Sequence, residues 1–109
     1  MSTTSFVDLC RQERDEMLVE FTKLNGQSDV ARHLGAAGLS AAQREHVGKA
    51  LETALTDAFY TMLLALDGAA SLGGVQQVYR VVDEGGHIIS SGDGTLEAAA
   101  FAALHPNRL

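Results

Sequence analysis

Apolar side chains recur at helical spacing through the first two-thirds of the chain and then give way to alternation near residue 75. The first helix is predicted over residues 5–25, with Phe6, Cys10, Met17, Phe21 and Leu24 on one stripe and Leu9 at its flank. Glu13 falls near the middle of that stripe, and Glu16 and Glu20 fall along its edge. Ser5 and Asp8 resemble a capping box, and Gly26 is placed to stop the helix in a left-handed turn. A short second helix is predicted over residues 28–37, with Ser28 or Asp29 near the cap, Val30 and Leu34 inward, and Gly38 beyond its end.

The third helix has the clearest signal. Ser40-Ala41-Ala42-Gln43 matches the capping-box form, in which serine and glutamine satisfy each other's orphan main-chain donors. The helix is predicted to run to Leu66, with Val47, Leu51, Ala54, Leu55, Ala58, Met62 and Ala65 on one broad face. Residues 58–66 are apolar on nearly every side, which makes that half the expected centre of the core. Strands are predicted over residues 75–82 and 87–91, joined by the turn Asp83-Glu84-Gly85-Gly86. Tyr79 and Val81 then face one side of the first strand, and Val78, Arg80 and Val82 the other. A last helix is predicted to start near Gly94-Thr95 and to end by His105, because Pro106 cannot continue it. Its stripe, Leu96, Ala99, Ala100, Ala103 and Leu104, is built of small side chains that permit close approach. The expected fold is therefore α+β: about four helices, with one antiparallel hairpin between the long third helix and the C-terminal helix.

Length and charge narrow the functional classes. A chain of 109 residues fits one domain, residues 1–109, and buries roughly two-thirds of its unfolded surface. The longest apolar run, residues 58–66, is far short of the roughly 20 residues that span a bilayer, so no membrane partner is expected. Residues 1–5 lack the profile of a signal peptide. The single Cys10 excludes an internal disulfide and favours a reducing, cytoplasmic setting. With a formal charge of −6 and scattered Lys and Arg, nucleic acid is not an expected partner.

Candidate chemistry is sparse. Glu13, Glu16 and Glu20 share a helix flank but lack the Glu-x-x-His companions of a bundle metal site. His33, His46, His87 and His105 have no metal-ligand spacing, so neither metal nor cofactor is expected. The loop Gly68-Ala69-Ala70-Ser71-Leu72-Gly73-Gly74 leads into a strand and has no phosphate-binding spacing. Ser71, Ser90 and Ser91 sit in no nucleophile elbow, and Asp93 reads as a helix cap. Asp67 is the oddest residue, because a carboxylate at a helix C-terminus faces the negative end of the dipole. A ligand site between the first helix and the hairpin would draw on Glu13, Asp67 and Tyr79.

From Leu63-Leu64-Ala65-Leu66-Asp67-Gly68 through Val78-Tyr79-Arg80-Val81-Val82 to Thr95-Leu96-Glu97, the chain resembles a pattern in small bacterial α+β proteins of unassigned function. The resemblance covers residues 55–104, and some such acidic proteins are immunity or accessory proteins. It implies that class and carries no catalytic residue across. The leading expectation is a non-enzymatic, cytosolic interaction protein that forms a homodimer. The alternatives are an immunity-type inhibitor of a toxin, and a small-molecule-binding domain or weak enzyme.

Overall fold

The computed structural model describes residues 1–108. Its first helix, α1 (Thr3–Thr22), starts earlier than expected because Ser2, not Ser5, is the cap: its Oγ accepts from Ser5 N at 3.0 Å. Ser5 is thereby the third helical residue. At the far end the left-handed residue is Asn25 (φ +58), a side chain that tolerates this conformation, rather than Gly26. Gly26 is required for a different reason, since a Cβ there would lie 2.9 Å from Ala31 Cβ and 3.0 Å from Lys23 O. That contact seats α2 (Asp29–Ala36) on the end of α1. Ser28 caps α2, its Oγ accepting from Ala31 N at 3.1 Å.

Helix α3 (Ala41–Leu66) has the expected capping box, with Ser40 N donating to Gln43 Oε1 at 2.8 Å and Gln43 N donating to Ser40 Oγ at 3.2 Å. Its 26 residues make a rod about 39 Å long, most of the 46 Å length of the molecule. Only its last turns enter the core, where Leu63 and Ala65 are buried. Val47, Leu51 and Leu55 are half-buried, whereas Ala54, Ala58 and Met62 are exposed. The expected broad buried face is thus half uncovered, because α1 and α4 cover one flank and nothing among the described residues covers the other.

The orientation of α1 also differs from the expected stripe. Val7 is fully buried and Arg14 half-buried, while Leu9, Leu24 and Glu13 are exposed. Arg14 reaches α3, its Nη1 donating to Thr56 Oγ1 at 3.2 Å. Val7 and the half-buried positions 3, 10, 14, 17 and 21 define the true inward line, and Glu13 lies just off it.

Strand β1 (Val81–Val82) pairs antiparallel with β2 (Ile88–Ser90). The turn between them takes the expected form: Gly86 N donates to Asp83 O at 3.0 Å and His87 N to Asp83 Oδ1 at 2.9 Å. Pairing is much shorter than the alternation over residues 75–82 suggests. Val81 opposes Ser90 and Val82 opposes Ile88, so Ile89 is an extra residue that bulges β2. The chain then leaves the sheet through residues 91–94 to begin α4 (Thr95–Leu104), and residues 76–80 have no strand to join among the described residues. Along α4, Leu96, Ala100 and Leu104 are buried and Ala99 and Ala103 half-buried, as the small-residue stripe suggests. They meet Val7 and Leu63 in a core gathered at one end of the molecule. Tyr60 packs its ring edge-on against His105, centroids 4.6 Å apart, and Pro106–Arg108 forms a 3-10 turn after α4.

Candidate functional site

Asp67 caps α3 in the αR conformation, and its side chain is 5% exposed. At this end of α3 the dipole disfavours a carboxylate. The side chain, however, points to the start of α4, where Gly94 at the N-cap offers no side chain. Asp67 Oδ2 accepts from Glu97 N at 3.0 Å, and Oδ1 accepts from Ser90 Oγ at 3.3 Å. One carboxylate therefore caps a second helix and fastens β2 beside it. The favourable dipole of α4, worth about 0.3–1 kcal/mol and more when partly buried, offsets the unfavourable one of α3. Asp93 contributes the remaining cap, its Oδ1 accepting from Thr95 N at 3.0 Å. That bond lowers the Asp93 carboxyl below its ordinary value.

Tyr79 is half-buried beside this junction. Its N–H donates to Leu66 O at 3.1 Å, and its hydroxyl accepts from Gln77 Nε2 at 3.0 Å. The structure thus brings Asp67 and Tyr79 into one neighbourhood. Glu13 is elsewhere: it is exposed, and its neighbour Arg14 contacts Thr56, roughly 16 Å back along α3 from Asp67. Clefts of about 430, 360 and 420 Å³ lie on the surface, and none is lined by Glu13, Asp67 or Tyr79. The largest is bounded by Leu18, Leu34, Leu39, Arg44 and Val47, where α1, α2 and α3 diverge. Among the described residues, no group of three or more His, Cys, Asp or Glu side chains is placed to hold a metal ion. No helix among them is long and apolar enough to cross a membrane.

Two further features were not legible in advance. Asp83 binds the Met1 amino group at 2.7 Å and the His87 N–H at 2.9 Å, and these bonds hold its carboxyl well below the usual carboxylate range. Thr3 Oγ1 donates to Ile89 O at 2.7 Å, so the start of α1 is tied both to the hairpin turn and to β2. Cys10 is half-buried, and burial pushes its thiol upward, away from the reactive thiolate.

The most distinctive surface is apolar. Leu72, Val75, Val78, Val82 and Ile88 are each between 41% and 57% exposed, all within the hairpin and the segment leading into it. Val82 and Ile88 are cross-strand partners and so share a face. Comparison with family models, with curated proteins and with solved structures returns no significant match.

Proposed function

We propose that this chain is a small interaction protein that assembles with a second copy of itself through the hairpin and the segment before it. The observation that carries this reading is the run of exposed apolar side chains Leu72, Val75, Val78, Val82 and Ile88, and the total uncovered area is in keeping with it. The accessible area is 6894 Å², against about 5,800 Å² for a compact monomer of 11.5 kDa, an excess of about 1,100 Å². A stable interface buries about 800 Å² on each partner. The radius of gyration, 16.3 Å against about 13 Å for a compact chain of this length, points the same way. The reading assigns no catalytic residue. Asp67, the best-placed carboxylate, is already engaged in holding β2 and α4. The single thiol and the resemblance to bacterial proteins favour a bacterial cytoplasm as its setting.

Sedimentation velocity over a wide concentration range tests the proposal. A species of about 23 kDa, twice 11.5 kDa, is expected; a monomer at every concentration overturns it. A second reading, an immunity-type inhibitor of a basic toxin, draws on the exposed carboxylates Asp8, Glu13, Asp15, Glu16 and Glu20 along α1. A toxin-like reading frame beside the gene is its test, and the absence of one removes its support.

A further inference from the structure

Residues 76–80 have the sequence pattern of a strand without a strand's partner among the described residues. They run without turn, bend or helix. Asp83 N donates to His87 O at 3.0 Å, and Tyr79 N donates to Leu66 O at 3.1 Å. Peptide groups of alternate residues in a strand point to the same edge, so residues 79, 81 and 83 face β2 and the end of α3. The same alternation assigns the peptide groups of Gln76, Val78 and Arg80 to the other edge. Among the described residues, neither the N–H nor the C=O of these three has a protein partner. An open edge of this kind is a template for strand addition.

Resting on the interaction reading above, we propose that this edge pairs antiparallel with the same segment of a second copy, about a two-fold axis through Val78. The sequence Val75-Gln76-Gln77-Val78-Tyr79-Arg80-Val81 is its own complement in that register. Val75 stands opposite Val81, Gln76 opposite Arg80, Gln77 opposite Tyr79, and Val78 opposite itself. Aliphatic side chains thus meet aliphatic ones, and hydrogen-bonding side chains meet hydrogen-bonding ones. Val78 with Val78, and Gln76 with Arg80, become the hydrogen-bonded pairs of the new ladder, which uses every free peptide group named above. A two-fold interface requires this self-complementarity. The result is a four-stranded sheet in the order β2-β1-β1-β2, with both β1 strands lengthened toward residue 75. Pairing also removes the liability of a two-stranded hairpin, which is marginal in isolation.

Two variants test the register, each checked by circular dichroism for retained fold. In a Cys10→Ser background, Val78→Cys places two thiols at the axis with Cα atoms about 5.5 Å apart, inside the range a disulfide spans. Mild oxidation is expected to link them, while Gln77→Cys in the same background stays unlinked. Arg80→Pro removes an N–H that has no partner among the described residues, and is expected to raise the dimer dissociation constant about tenfold or more. A dimer that persists while either expectation fails overturns the strand pairing and leaves the interaction reading standing. A monomer at all concentrations overturns both.

Discussion

The Asp67 carboxylate accepts a hydrogen bond from the main-chain N–H of Glu97, 30 residues away, at 3.0 Å. This single bond joins the end of one helix to the beginning of another, and Ser90 shares the same carboxylate. Asp67→Ala is expected to lower the unfolding free energy by about 2–3 kcal/mol, because a charged hydrogen bond is lost and a buried hydroxyl is left without its partner. Asp67→Asn retains an acceptor oxygen but loses the charge, and is expected to cost about 1 kcal/mol. Urea titration of the variants checks both values; equal stability of wild type and Asp67→Ala sinks the capping role.

Val78 is wedged between two glycines. A Cβ at Gly92 would fall 2.6 Å from Val78 Cγ1, and one at Gly68 would fall 2.8 Å from Val78 Cγ2. Gly92→Ala therefore meets two penalties, the clash and a φ of +81, the second alone about 1–2 kcal/mol. Adding Val78→Ala is expected to restore the steric part but not the backbone part. A double-mutant cycle measures the coupling, and strict additivity contradicts the wedge.

Acid sensitivity follows from Asp83. Its folded-state carboxyl is lowered first by the bond from the Met1 amino group and then by the His87 N–H. A lowered folded value means that the contribution is fully present above the unfolded carboxyl value, roughly 3.9, and is lost as pH falls below it. Asp83→Asn is expected to lower stability near neutral pH and to flatten the low-pH limb of the stability curve. Thermal melts from pH 2 to pH 7 for both proteins decide this.

At the start of α3, Ser40→Ala removes the acceptor for Gln43 N and leaves the glutamine without its reciprocal partner. A loss of about 1 kcal/mol is expected. Since this end of α3 is far from the core, helix content at residues 41–46 should fall before the global transition, as site-resolved NMR shifts can follow.

Local signals explain why some features could be read from the sequence and others could not. The start of α3 was legible because a capping box lies within four residues, and the stripe of α4 because its period is short. The start of α1 is misplaced from the sequence, because Ser5 with Asp8 looks like a capping box, whereas the cap is Ser2, whose Oγ accepts from Ser5 N. Alternation predicts a strand over residues 75–82, yet only Val81–Val82 is paired, because pairing depends on a partner and β2 is three residues long with a bulge. Asp67 was visibly out of place at its own helix end. What resolves that conflict is the N–H of Glu97, and no local pattern in the sequence connects the two. Glu13 shows the opposite error: a small rotation of α1 toward Val7 and Arg14 moves it from the expected stripe to solvent.

The one-ended core has a dynamic consequence. Val7, Leu63, Leu96, Ala100 and Leu104 are clustered at the hairpin end, while residues 41–62 of α3 contain no fully buried side chain. Opening free energies must therefore rise along α3 from its first turn to its last, in the manner of a helix that frays from one end. The tip formed by α2 and the start of α3 then samples open states in which the hairpin end stays closed. Motion is thereby expected to concentrate at one end of the rod, while the core at the other end holds residues 76–80 and the hairpin in place.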